Sequence, residues 1–221
     1  MSTALSNELS DIEGVVRASE LDRESRRDRQ QIEWDRKLLE GRLGELSGTG
    51  PAATSSAALE LVRKSQLDGE PVAWVTVGEG IFFPPDAARN GIDLTALPVV
   101  RVEEPPEAAR AADKLLRSGG FGLVVVDLVP SEARAPGASI PRPLQKRLIQ
   151  HADTHEAAVL VLTEKKPDAP SFGSLCSFRA QAEHRRRGGN RFERSVEALA
   201  DNRFGPGWTV REAYRGPPGL R

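Results

Sequence analysis

The sequence predicts an α/β fold: a mostly parallel sheet flanked by helices, closed on one side by an antiparallel hairpin. Two observations carry this. The short apolar runs Val72–Val77 and Leu123–Val126 lack polar alternation, as strands buried on both faces do. They take turns along the chain with helical patterns, Pro105–Arg117 and the segment marked by Leu144, Leu148 and Ile149, which implies right-handed parallel crossovers. A third observation sets the closing side: Cys176–Ala182, Phe192–Ala200 and Trp208–Tyr214 read as three strands, the last two joined around Gly205-Pro206-Gly207.

Taken in order, residues 5–46 predict a long helix. Arg29, Glu33 and Lys37 form favourable pairs four residues apart, and Ile32, Trp34, Leu39, Leu43 and Leu46 make a thin apolar stripe. No sustained heptad supports a coiled coil. The expected organisation is an N-terminal helical arm (1–47), a core (48–214) and a flexible tail (215–221). The arm's stripe lies either on its own core or on a second chain, which makes these residues candidates for self-association or partner docking. Ser47–Ser56 reads as a Gly/Pro/Ser/Thr loop and Ala57–Gln66 as a helix. Pro84–Asn90 suits a short helix stopped by Gly91, and Val99–Val102 a short strand. Leu128–Pro141 is a loop, Val159–Thr163 a strand, and Lys165–Ser171 a polar loop.

The chain has 221 residues and a formal net charge of −1, so no global field favours nucleic acid. The distribution is uneven: residues 176–221 hold ten Arg against five acids, whereas residues 1–47 hold eleven acids against eight basic residues. A single cysteine, Cys176, excludes an internal disulfide framework and fits a reducing compartment. The chain has no apolar run long enough to span a membrane and no apolar signal core at its start, so the expected location is the cytoplasm.

Residues 50–59 have the outline of a phosphate-binding loop without its chemistry. A working loop reads G-x-x-x-x-G-K-[ST]. Gly50 and Pro51 open the frame, but Ser55, Ser56 and Ala57 stand at the second glycine, the lysine and the hydroxyl. The lysine neutralises phosphate and the hydroxyl holds Mg²⁺; Ser56 and Ala57 do neither. Asp127 ends its strand where a second Mg²⁺ carboxylate belongs, and Glu79 or Gly78 falls near the position of a water-orienting glutamate.

From Gly50 to Arg221 the order of elements resembles the RecA core. The resemblance rests on Gly50-Pro51, Pro71-Val72-Ala73-Trp74-Val75, Gly91-Ile92-Asp93-Leu94, and Leu116-Arg117-Ser118-Gly119-Gly120 running into Leu123-Val124-Val125-Val126-Asp127. Ser195-Val196-Glu197-Ala198-Leu199 followed by Phe204-Gly205-Pro206-Gly207 resembles the terminal hairpin of that core. Within the superfamily the degenerate loop looks most like ImuA-type proteins, accessory subunits of bacterial translesion mutagenesis. The resemblance implies a polymerase-like mutasome partner of the ImuB type and an error-prone replicative polymerase. It also implies that lysines reaching a neighbouring subunit's ATP are replaced, here by Ala200 and Asn202. The implied protein is a pseudo-ATPase that needs no cofactor. It also implies that the loops after the aspartate strand and the next strand, Val129–Ile140 and Lys165–Ser171, line a DNA groove.

Other constellations are weaker. His151 and His155 have zinc-compatible spacing on a helix but no convincing third ligand. Cys176 lacks a positioned base and reads as a structural thiol. Arg179, Arg185, Arg186, Arg187, Arg191 and Arg194 gather around Gly188-Gly189. They form either a solvated basic hairpin or a face for weak, sequence-independent DNA binding. Few aromatics accompany them in sequence, so base stacking is not expected. The expected function is a non-catalytic adaptor in error-prone translesion synthesis. The alternatives are a SulA-like cell-division inhibitor on a RecA-like core and a divergent active ATPase.

Overall fold

The computed structural model describes residues 32–48, 51–129, 139–189 and 191–215. The chain divides into two compact units, Met1–Glu33 and Trp34–Arg221. The second contains a 3-10 turn (Arg36–Leu39) followed by β1 (Arg42–Gly48), α1 (Pro51–Leu67), β2 (Val72–Val77), α2 (Pro84–Arg89) and β3 (Val99–Val102). Then come α3 (Pro105–Arg117), β4 (Leu123–Asp127), α4 (Arg142–Thr154), β5 (Ala158–Glu164), β6 (Phe178–Gly188), β7 (Arg191–Asp201) and β8 (Thr209–Arg215).

These strands form one eight-stranded sheet in the order β3-β2-β4-β5-β1-β6-β7-β8. The pairs from β3 through to β6 are parallel, and β6–β7 and β7–β8 are antiparallel. The α/β class, the mostly parallel sheet and the closing hairpin are therefore as the sequence predicts. Helix α3 starts where Pro105 fixes its first φ, and the Glu107 carboxylate accepts from Glu103 N (3.1 Å) and Glu104 N (3.2 Å). Its buried stripe, Ala108, Ala112 and Leu116, meets Leu148 and Ala152 of α4 and the side chains of Leu43, Val75, Val124, Val159 and Val161 on one sheet face. Helix α1 covers the opposite face, where Ala57 accepts a hydrogen bond from the buried Trp34 indole (2.8 Å).

The N-terminal arm needs correction. Leu43 and Leu46 lie not on a helix but on β1, the strand between β5 and β6. Every residue of β1 is buried, and Trp34, Leu39, Leu43 and Leu46 are at most 1% exposed. They are core of the fold, not an interaction stripe. Ile32 is half-buried and belongs to the first unit. The boundary accordingly moves from 47/48 to 33/34. Two glycines carry the physical reason. Gly41 has φ +69°, and a Cβ at Gly44 would lie 2.9 Å from Leu39 Cδ2 and 3.1 Å from Phe178 Cδ1. A central parallel strand buried on both faces does not alternate, so leucines spaced three and four apart mimic a helix. The helical reading of residues 1–31 and the tail from residue 216 lie outside the described residues. A second correction concerns the segment after β1: Ser47 and Gly48 are strand, and the helix begins at Pro51 rather than at Ala57.

A buried ion pair fixes β1 against the closing strands. Arg42 Nη2 donates to Asp201 Oδ1 (2.7 Å) and to the Ser177 carbonyl (2.7 Å), and Nη1 donates to the Leu38 carbonyl (3.2 Å). Asp201 also accepts from Trp208 Nε1 (3.0 Å) and Arg203 N (2.9 Å). Burial works against the Asp201 charge, but these donors hold its carboxyl below the usual range.

Because Leu43 is core, Leu43→Ala should lower stability by about 2–5 kcal/mol in urea unfolding. Its sedimentation coefficient should stay that of the wild type. A change of oligomeric state without loss of stability would return Leu43 to an interface.

Candidate functional site

In open parallel α/β sheets, ligands bind beyond the carboxyl ends of the strands. Here that edge is formed by Gly48, Val77, Asp127 and Glu164, the last residues of β1, β2, β4 and β5. A strand followed by a helix, β1 to α1, is the frame in which a phosphate loop is built. Gly50 lies outside the described residues, and Pro51 is the first residue of α1. Because β1 ends at Gly48, counting the motif from that glycine puts Ala53, Thr54 and Ser55 at the second glycine, the lysine and the hydroxyl. Counting from Gly50 puts Ser55, Ser56 and Ala57 there. Neither frame supplies a lysine, and all five residues lie within α1. Beyond the first turn a helix spends its amides on its own carbonyls, so Ser55, Ser56 and Ala57 have none to offer phosphate. Thr54 is 1% exposed, and its hydroxyl has no hydrogen-bond partner among the described residues. The Ser56 carbonyl accepts from Arg194 Nη1 (2.6 Å).

Asp127 is at the predicted place, the end of β4, and is fully buried. Its Oδ2 accepts from Ile81 N (2.7 Å) and Thr76 Oγ1 (3.3 Å), and its Oδ1 accepts from Val129 N (3.1 Å). Gly80, at φ +60°, closes over it: a Cβ there would overlap Thr76 Oγ1 and Asp127 Oδ2. The carboxylate therefore ties the exit of β2 to the exit of β4. Glu79 is exposed just beyond β2, Ala200 is exposed near the end of β7, and Asn202 is exposed in the turn that follows.

A second carboxylate, which the residue pattern does not single out, lies at a similar depth in the sheet but on the opposite face. Glu45 of β1 is fully buried. Its Oε1 accepts from Lys165 Nζ (2.7 Å) and Thr163 Oγ1 (2.8 Å), while Oε2 accepts from Phe172 N (3.3 Å) and lies 3.5 Å from Arg179 Nε. The only signal for it was an acid inside an apolar strand, and the helical reading of residues 5–46 hid that strand.

The arginine cluster splits. Arg179 is half-buried beside Glu45, with Nε 3.5 Å from its Oε2, and Nη2 donates to the Lys166 carbonyl (3.3 Å). Arg194 is also internal: it pairs with Glu212, lies 3.8 Å from Glu60 and bonds the Ser56 carbonyl. These two leave the proposed DNA face, because they lie where the strands cross packed elements, Arg179 against Glu45 and Arg194 against α1. Arg185, Arg186, Arg187 and Arg191 are exposed around the β6–β7 turn. Arg187 makes two bonds to Glu193 (2.6 and 3.1 Å), and that arginine holds the Glu193 carboxyl below its usual range. Arg185 lies 3.5 Å from Glu183, and Arg186 Nε donates to the Gly189 carbonyl (3.1 Å). The expectation of few aromatics also needs correction. Strand register brings His184, Phe192 and Tyr214 onto one face of the hairpin, with ring centroids 5.1–5.9 Å apart. They are distant in sequence, so linear reading missed them.

His151 lies 3.5 Å from Asp113 and stacks near His155 (6.5 Å). Among the described residues no group of three His, Cys, Asp or Glu side chains could hold a metal ion. Burial pushes the Cys176 thiol up to about 11, and its Sγ donates to the Phe178 carbonyl (2.8 Å). Among the described residues no helix is long and apolar enough to cross a membrane.

The sheet, its flanking helices and its closing hairpin define a RecA-like α/β core. The comparisons agree in part. The chain is 32% identical over 92 residues to Protein RecA of Chlorobium limicola, covering 42% of this chain and 26% of that protein. It is 35% identical over 101 residues to Protein RecA of a Nocardioides species, covering 45% and 28%. With Protein RecA of Chlorobium chlorochromatii it shares 32% identity over 120 residues, covering 52% and 34%. The matched region thus spans about a third or less of each of these relatives. No family model matches the chain. These partial similarities support a RecA-like superfamily protein.

Burial raises the Asp127 carboxyl to about 6 although Ile81 N, Val129 N and the Thr76 hydroxyl pull the other way. The folded chain therefore keeps this proton between roughly pH 4 and 6, where the unfolded chain has released it. The stability linked to this proton is fully present below about pH 4 and is lost as pH rises through about 6. Relative to Asp127→Asn, the wild type should lose about 3 kcal/mol between pH 4 and 7 in urea unfolding. A difference that does not change with pH would contradict this.

Proposed function

We propose that this chain is a RecA-like pseudo-ATPase of the ImuA type, a non-catalytic adaptor in the bacterial DNA-damage response. In this reading it supports error-prone translesion synthesis by binding a polymerase-like subunit of the ImuB type and an error-prone replicative polymerase. The observation that carries it is the filled carboxyl edge of the sheet. The motif frame has no lysine, its residues are helical, and Asp127 spends its oxygens on the chain's own donors. A carboxylate pointed at phosphate without a lysine repels it, so a scaffold of this kind acts by binding rather than by hydrolysis. Similarity to Protein RecA over roughly half of the chain supports the DNA-damage setting.

Deletion of the gene should abolish damage-induced mutagenesis, and expression of the wild-type chain should restore it. The purified chain should also co-elute with the polymerase-like subunit in gel filtration. Unchanged mutation frequency after deletion would overturn the adaptor reading.

The exposed arginines of the β6–β7 hairpin supply weak, sequence-independent DNA contact. Changing Arg185, Arg186 and Arg191 to Ala should weaken binding to an oligonucleotide. It should also flatten the log-log salt slope by up to about 2–3, near one per lost phosphate contact. An unchanged slope would make the hairpin a solvated turn.

A further inference from the structure

We infer that the groove beside α4 is a docking site for a short acidic, apolar-anchored segment of a partner protein. The groove has a volume of about 670 Å³ and is lined by Arg142, Pro143, Lys146, Ile149 and Leu175. Arg142, Lys146 and Ile149 follow one another at spacings of four and three, so they share one stripe of the helix. Leu175, from the connection between β5 and β6, lines the groove with them. Ile149 and Leu175 are half-buried, and Arg142 and Lys146 are exposed.

Charge decides the occupant. Among the described residues neither Arg142 nor Lys146 has an acidic partner, whereas Arg147 beside them bonds Asp113 (2.5 Å). The first turn of α4 carries no acid, although the amino end of a helix favours acids over cations. Arg142, in the first turn, therefore opposes the dipole of the helix that carries it, and Lys146 one turn on extends the same unpaired positive stripe. An occupant that places one Leu, Ile or Phe against the apolar lining of Ile149 and Leu175, with Asp or Glu near Arg142 and Lys146, meets both parts of the lining. This is recognition of an amphipathic segment in a groove. Nucleic acid fits less well, because the lining is aliphatic apart from its two cations and offers no ring on which a base can stack. The inference goes beyond the adaptor proposal and does not depend on it.

The test uses the full chain, immobilised and panned against a phage library of random peptides. Enriched peptides are then made with a fluorescein label and titrated by anisotropy. The expected peptides combine an apolar anchor with Asp or Glu. Arg142→Glu with Lys146→Glu should weaken them at least about tenfold and reduce the salt dependence. Ile149→Asp should weaken them about as much. Leu175→Ser, in the β5–β6 connection, supplies an independent variant should Ile149→Asp disturb the fold, which circular dichroism reports. Enrichment of neutral or basic peptides, binding indifferent to these variants, or no enrichment would each overturn the proposal. So would a single-stranded oligonucleotide whose binding is lost in the Arg142→Glu, Lys146→Glu variant while no peptide binds, because it would assign the groove to nucleic acid.

Discussion

Asp127 must find donors inside the protein, because a carboxylate removed from water is costly unless it is hydrogen-bonded. It finds them in Thr76, Ile81 and Val129 and so joins the exits of β2 and β4. Glu45 makes the same kind of demand on the other half of the sheet and draws in Thr163, Lys165, Phe172 and Arg179. Between them these carboxylates organise the edge at which parallel sheets ordinarily hold ligands. The donors they take are ones that a bound phosphate would otherwise compete for, and the carboxylate oxygens so occupied are ones that a cation would otherwise use.

The same logic explains why β1 dominates the packing. It lies between β5 and β6, with Leu43 in the core shared with α3 and α4, and Gly44 against Leu39 and Phe178 on the other face. Arg42 and Asp201 then lock that strand to the end of β7. A glycine at 44 is required because Leu39 and Phe178 already occupy the space a side chain would take.

Much of this was legible in the sequence, for identifiable reasons. Val72–Val77, Val99–Val102 and Pro105–Arg117 have the bounds the residue pattern predicts, because apolar runs, prolines and glycine stops coincide there. Strand β1 was hidden because a strand buried on both faces has no period of its own and the charged run before it has a helical one. Gly41, Gly44 and Gly48 were the available warning against a helix. At the site, Asp127 is legible from its place at the end of a hydrophobic strand, but its donors come from the neighbouring strand (Thr76) and from loops (Ile81, Val129) that no local pattern links to it. The arginines look like one cluster in sequence, yet Arg179 and Arg194 sit where β6 and β7 run over packed elements, whereas Arg185, Arg186 and Arg191 lie at the far end of the hairpin, where β6 is exposed at every residue from Glu183 on. Register likewise assembles His184, Phe192 and Tyr214 from three strands, which linear spacing does not reveal.

In the adaptor proposal this core works without nucleotide chemistry. Isothermal calorimetry of the purified full chain with Mg-ATP tests it most directly. No saturable heat is expected at concentrations up to about 1 mM, an affinity no better than about −4 kcal/mol. Stoichiometric binding at micromolar concentration, or Mg²⁺-dependent turnover that disappears in Asp127→Ala, would contradict it.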